Sequence, residues 1–252
     1  MRSRLAVLPI VIVLLAIAPL AAVAADEPPV LEQARAAYEQ RAEPGQAQAA
    51  WDLFKQAAAA DTASYDARWE GARACYYLGE YFKPGASDDE KMVLFQEGID
   101  LAKQAVTLQP KGVEGHFWLG VLYGVYGEAK GILKSLAMVP DIKAEMATCR
   151  EIDPSVEGWG PDRVLGRMFY RLPFFKGGDN KKSLEHLEQS LKGAPTNALT
   201  RLYLAETCKS EGQKPRGIQL LEEVVGMTPD PRWAAEHPQI RAKAEKLLAK
   251  LR

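Results

Sequence analysis

The chain has 252 residues, of which 32 are basic and 33 acidic, 47% hydrophobic and 8% aromatic. That near-balance gives no electrostatic reason for nucleic acid or an anionic membrane to be the main partner. Its length is enough for one sizeable domain or one solenoid, and three cysteines without close spacing argue against a disulfide framework.

At the amino end Arg2 and Arg4 precede about twenty uncharged residues, Leu5 to Ala25. The apolar centre runs from Ile10 to Ile17, and small side chains at Ala22 and Ala24 stand ahead of Asp26. This layout predicts a secretory signal over 1–25 cleaved after Ala24 or Ala25, since a signal peptidase pocket cannot hold bulk. A retained anchor is the alternative, because the run nearly spans a bilayer, but Pro9, Pro19 and the small-residue end argue against it. Cleavage leaves 30 basic against 33 acidic residues and a helical domain over 26–252. No cysteine follows the apolar stretch, the first being Cys75, so no lipid attachment is expected. Membrane contact is expected only through the signal segment before cleavage.

Helical units follow. A first one spans Leu31 to Asp61, with a Pro44-Gly45 turn and Ala50, Phe54 and Ala57 on one helical face. Trp69, Ala72, Arg73 and Tyr76 begin the next, whose second helix runs about Glu90 to Thr107 and stops before Pro110. Leu119, Gly120 and Tyr123 open a third unit, closed by a helix over Ile142 to Ile152 and by Pro154. Leu165, Gly166 and Phe169 open a fourth, closed by Lys181 to Lys192 and Pro195. Leu204, Ala205 and Cys208 open a fifth, closed by Pro215 to Gly226 and Pro229. Finally Ile240, Ala244, Leu247, Leu248 and Leu251 form an apolar stripe opposite Arg241, Lys243, Lys246 and Lys250, a helix expected to cap the stack.

The four prolines make a ladder. Five residues before each stands Ala105, Cys149, Ser190 or Val224, and eight before it Ala102, Met146, Leu187 or Leu221. Both offsets share one helical face, so these eight residues are predicted core. The recurring pair, aromatic, small residue and closing proline resemble the tetratricopeptide repeat, and the interval Pro195 to Pro229 has its length of 34 residues. The predicted fold is all-α: about five tetratricopeptide-like helical hairpins in an α-α superhelix with a C-terminal capping helix. Earlier units carry inserts at Tyr81 to Glu90, Gly131 to Asp141 and Leu172 to Asp179, the edge where function is expected to collect.

No catalytic chemistry is legible. Cys149 and Cys208 fall on repeat core positions and Cys75 adjoins one, so all three read as buried thiols packing as small hydrophobes. His116, His186 and His237 have no second ligand at metal spacing. Gly120, Gly124, Gly127 and Gly131 lack the lysine and hydroxyl of a phosphate loop, and close helix packing explains them better. Glu185 and Glu188 read as solvated surface beside Lys181 and Lys192. Neither an enzyme, a cofactor nor a metal is expected.

The most distinctive stretch is Gly158 to Asn180. Pro161 and Asp162 suit a helix start there, and Asp179 or Asn180 suits the next. Pro173, Phe174 and Phe175 break the helix between them, reading either as a turn packed on the stack or as an aromatic lip on a channel or subunit contact.

Gly160, Pro161, Arg163, Leu165, Gly166, Arg167, Gly177, Gly178 and Asp179 closely resemble the T components of tripartite ATP-independent periplasmic transporters, with Phe169 in place of a tyrosine. The segment from Gly115 to Leu119, with Gly127, Gly131, Leu133, Lys134 and Ile152-Asp153-Pro154, extends the likeness. That resemblance implies a periplasmic homotrimer with an apolar channel that meets a solute-binding protein; this chain lacks the family's lipid-attachment cysteine. Trp69, Ala72, Arg73 and the segment from Lys130 to Pro154 carry a looser resemblance to the regulator of microtubule dynamics family.

Two functions follow as expectations. One is a periplasmic binding or relay protein for a small apolar or amphipathic ligand, with Trp118, Tyr123, Tyr126, Phe174 and Phe175 as lining. The other is a scaffold that holds another exported protein in the concave groove.

Overall fold

A computed structural model describes residues 29–252, so the signal expectation, with Ala24 and Ala25, lies outside the described residues. Eleven α-helices fill the described residues, and no strand is found among them. They pair as hairpins in chain order: α1 (Val30–Glu39) with α2 (Gln46–Ala60), α3 (Tyr65–Tyr77) with α4 (Asp88–Leu108), and α5 (Val113–Lys130) with α6 (Val139–Ile152). Next come α7 (Val156–Arg171) with α8 (Asn180–Gly193) and α9 (Ala198–Ser210) with α10 (Lys214–Gly226). The last helix, α11 (His237–Leu251), packs on α10 and α9, as the apolar stripe ending at Leu251 requires.

The second helices α4, α6, α8 and α10 end two or three residues before their prolines, whose missing N–H and fixed φ cannot continue a helix. All eight ladder residues, from Ala102 to Val224, are 0% exposed. The small residue of each first helix is explained by what presses on it. A Cβ on Gly120 would collide with the Met146 methyl, and one on Gly166 would stand 2.6 Å from Leu187 Cγ. The apolar residue eight before the proline therefore seats in the notch left by the glycine, which fixes the register of the hairpin. Ser64, Asp179 and Asn197 cap α3, α8 and α9 through their side-chain oxygens, and Ser87 with Glu90 forms a capping box on α4.

Two features differ from the expectation. Nothing lies within 4 Å of the position a Cβ on Gly124 would take, so close helix packing explains Gly120 but not Gly124; Gly131, at φ 92°, ends α5 instead. The helix start expected at Pro161 and Asp162 stands, with Pro161 in the first turn, but the turn before it is unexpected and Asp162 has another role. Glu157, Gly158 and Trp159 take φ of 49°, 64° and 56°, three successive left-handed residues, and regular helix resumes at Gly160. Asp162 is buried and accepts from His186 Nδ1 at 2.7 Å, so it braces α8 and does not cap α7. This left-handed turn accounts for the longer spacing from Pro154 to Leu165.

Candidate functional site

A left-handed residue with a side chain costs about 1–2 kcal/mol, so two of them in one turn need compensation. Arg163 supplies part of it by donating to Gly158 O and Glu157 O at 3.1 Å each. Glycines supply the rest through close approach. Gly158 lies against the Trp233 indole, and Gly193 leaves room for the ring of Trp159, each at distances that would place a Cβ inside 2.6 Å. The turn thus brings the fourth hairpin against the 3₁₀ turn Pro231–Trp233 that leads into α11.

From there the superhelix closes on itself. Arg41, just beyond α1, is 5% exposed and meets Glu236, 1% exposed, at the start of α11. Arg41 Nε donates to Glu236 Oε1 at 2.5 Å, and its terminal nitrogens donate to Glu236 Oε2, Arg232 O and Tyr38 O at 3.2, 3.1 and 3.2 Å. The guanidinium also sits 4.4 Å over the Tyr38 ring and 5.4 Å from Tyr77. Residues 195 positions apart in sequence are thereby latched.

Inside the latch lies a cavity of about 390 Å³, within the range of roughly 300–1,000 Å³ of small-molecule sites. Its wall comes mainly from α3, α5, α7, α9 and α11, with Val139 and Ile142 of α6. Tyr76, Tyr77, Tyr81 and Trp118 form a ring cluster with centroids 5.1–6.2 Å apart, and Tyr203 and Trp233 stand on the same wall. Burial raises the pKa of Tyr76, Tyr77 and Tyr81 well above the ordinary phenol value, so all three stay protonated. Charged groups line it as well. Burial lowers the Arg167 pKa, but Tyr203, Glu206 and Glu128 outweigh it and leave it above its ordinary value. Arg167 pairs with Glu206, lies 3.7 Å from Glu128 and stacks 4.3 Å over Tyr203. Burial also raises the Glu80 carboxyl, against the pull of Lys91 and Lys243, and the Glu236 carboxyl, against the pull of Arg41.

Five buried side-chain polar atoms have no hydrogen-bond partner among the described residues, and two of them, Trp118 Nε1 and His237 Nε2, belong to this wall. An unsatisfied buried group costs about 1–3 kcal/mol, so both favour a guest that offers polar atoms. Burial and the nearby Arg241 lower the His237 pKa, which keeps the ring neutral at neutral pH.

Of the expected lining, Trp118 and Tyr123 are on the wall, whereas Tyr126, Phe174 and Phe175 are not. Tyr126 lies 5.6 Å under Lys130, and the two phenylalanines project outward from a 3₁₀ turn, Phe174–Lys176. The motif residues are mostly scaffold. Gly160 admits the Phe117 ring, Gly166 the Leu187 side chain, and Gly178 the Leu172 carbonyl, while Gly177 turns the chain at φ 91° and Leu165 is core. Pro161 sits in the first turn of the resumed helix. Arg163 and Arg167 are the two that reach the cavity. Sequence reading missed Arg41, Glu236, Tyr77, Tyr203 and Trp233 as site residues; the Tyr76-Tyr77 doublet followed by Tyr81 is a signal for Tyr77 alone, and no local pattern marks the others.

The cysteines are free and buried. Burial pushes the Cys149 thiol up to about 12 and raises those of Cys75 and Cys208, so none is a ready nucleophile. His116 bridges Glu145 (2.6 Å) and Pro110 O (3.0 Å), tying α5 to α6, and His186 stacks on Phe169 with centroids 5.7 Å apart.

Fold and cavity together define a tetratricopeptide-type helical-repeat protein whose inner face forms a cavity. A tetratricopeptide repeat model matches residues 174–237, and the model of regulator of microtubule dynamics protein 1-3 matches residues 30–157, just over half of the chain. The chain belongs to that regulator of microtubule dynamics family. Neither description names a catalytic activity. Its fold is similar to the crystal structure of a tetratricopeptide-repeat protein of Thermus thermophilus, at 17% identity and a TM-score of 0.62, covering 88% of this chain and 96% of that one. No curated protein matches the chain.

Proposed function

We propose that this chain is an exported, non-enzymatic binding protein that holds a small amphipathic molecule in the latched cavity. It relays that molecule in concert with a periplasmic solute-binding protein, as a T component of a tripartite ATP-independent periplasmic transporter does. The observation that carries the reading is the aromatic-lined cavity with unpartnered Trp118 Nε1 and His237 Nε2. An open concave face suits an extended peptide, whereas about 390 Å³ behind a latch suits a small guest. The motif running from Gly160 to Asp179 supports the transporter association. In this reading residues 1–25 act as an export signal removed after Ala24 or Ala25, and the likeness to the transporter T components makes the destination the periplasm. The family's description speaks of microtubule dynamics; an exported chain does not meet microtubules, so what carries over is the fold.

The repeat assignment also supports a second reading, a scaffold that holds another exported protein. Solvent extraction of the protein purified from the exported fraction decides between them. The first reading predicts near-stoichiometric release of one amphipathic compound. A chain that neither carries nor takes up such a compound, yet crosslinks to a protein partner through residues of its inner face, would establish the second.

A further inference from the structure

The two inserts that follow α5 and α7 lie at one edge of the superhelix, because Arg171 at the end of α7 donates to Glu128 near the end of α5 at 3.0 Å. That edge exposes large apolar side chains with no protein cover: Phe174 is 86% exposed, Phe175 65% and Leu133 63%. Phe174 and Phe175 stand edge to face with centroids 5.8 Å apart, on a turn held by Gly177 N and Gly178 N donating to Phe174 O and Pro173 O. These backbone hydrogen bonds define the turn that displays the pair outward.

Cations surround the tip. Lys176 Nζ is 6.0 Å from the Phe175 ring, and Lys143 and Lys182 lie 5.3 and 5.6 Å over Phe169, at the base of the same turn. Between Leu172 and Lys182 stand Lys176, Lys181 and Lys182 against Asp179, whose carboxylate is engaged by the N–H groups of Lys181 and Lys182. Exposed aromatics flanked by lysines on an outward turn match the boundary between anionic headgroups and acyl chains. The cavity wall runs out to Arg171 and Leu172, directly beside the tip.

We infer that this edge docks onto an anionic lipid surface, with Phe174 and Phe175 inserted and Lys143, Lys176, Lys181 and Lys182 over the headgroups. This departs from the expectation that membrane contact ends with the signal segment. Docking sets the cavity rim against the bilayer, a consequence that rests on the ligand reading; the docking itself does not.

Vesicle flotation of the purified mature chain, residues 26–252, tests it, using phosphatidylglycerol–phosphatidylcholine vesicles and phosphatidylcholine vesicles. The wild type should float with the first and far less with the second. Phe174→Ala/Phe175→Ala should lose about tenfold in partitioning per phenylalanine, and Lys176→Gln/Lys181→Gln/Lys182→Gln about fivefold per lysine, on the anionic vesicles alone. Because these residues are exposed, circular dichroism and melting should be unchanged, and leaving out residues 1–25 keeps their apolar run from anchoring the chain by itself. Equal flotation of wild type and the double alanine variant, equal binding to both vesicle types, or a double variant that changes oligomeric state without changing flotation would each overturn the inference. Loss of flotation with cavity ligand retained would leave the docking standing and separate it from the ligand reading.

Discussion

Replacing Arg41 by Met strikes the contact that ties α1 to the start of α11 beside the cavity. Glu236 is 1% exposed, and Arg41 contributes its nearest cation, donating twice to its carboxylate. The same guanidinium serves the carbonyls of Tyr38 and Arg232 and covers the Tyr38 ring. Leaving a buried carboxylate without its partner costs about 3–5 kcal/mol, a large share of a domain's usual 5–15 kcal/mol or so. Arg41→Met/Glu236→Leu removes both charges and should recover much of that loss, since a buried pair is often no better than apolar residues of similar volume. Urea unfolding of wild type, both single variants and the double variant gives the coupling energy, expected near the top of the roughly 0.5–3 kcal/mol range for touching residues. If Arg41→Met costs less than about 1 kcal/mol, the value of a solvated pair, the ends are not latched.

Gly166→Ala places a methyl 2.6 Å from Leu187 Cγ and 3.1 Å from Ser183 O, so overpacking of about 1–3 kcal/mol should appear in thermal unfolding. Gly158→Ala adds a Cβ at φ 64° that meets the Trp233 ring at 2.5 Å, and should destabilise by a similar amount of about 1–3 kcal/mol while shifting Trp233 fluorescence. Trp118→Phe removes an indole N–H that has no partner, so melting should hold or rise while ligand retention falls. Hydrogen bonding to Arg232 and Thr196 depresses the Asp230 carboxyl pKa. Its contribution is present above the unfolded value of 3.8 and lost as the pH falls below it. The stability gap between wild type and Asp230→Asn should therefore narrow below about pH 4 in acid titrations.

The hairpin architecture was legible because proline, the residue five before it and the residue eight before it obey local rules of backbone and helical face. Met146 against Gly120 and Leu187 against Gly166 show how those local rules become tertiary contacts. The left-handed turn was not legible, because Glu157 and Trp159 have no preference for that conformation. It persists through Arg163 and through the notches at Gly158 and Gly193, which are distant packing effects. The latch was hidden for the same reason, since no local pattern joins Arg41 to Glu236. Phe174 and Phe175 read from sequence as either packed or lip-forming, and the outward display of their turn puts them at an edge beside the cavity and not on its wall.

The cavity as a ligand site is tested most directly by filling it. Gly124 lies on the wall with open space where a Cβ would stand, so Gly124→Trp puts an indole into the cavity without a clash at its first atom and removes a helical glycine. Native mass spectrometry of wild type and Gly124→Trp purified side by side should show a retained small molecule on the first and none on the second, with both folded. Equal retention on both, or none on the wild type even after incubation with amphipathic compounds, would contradict it.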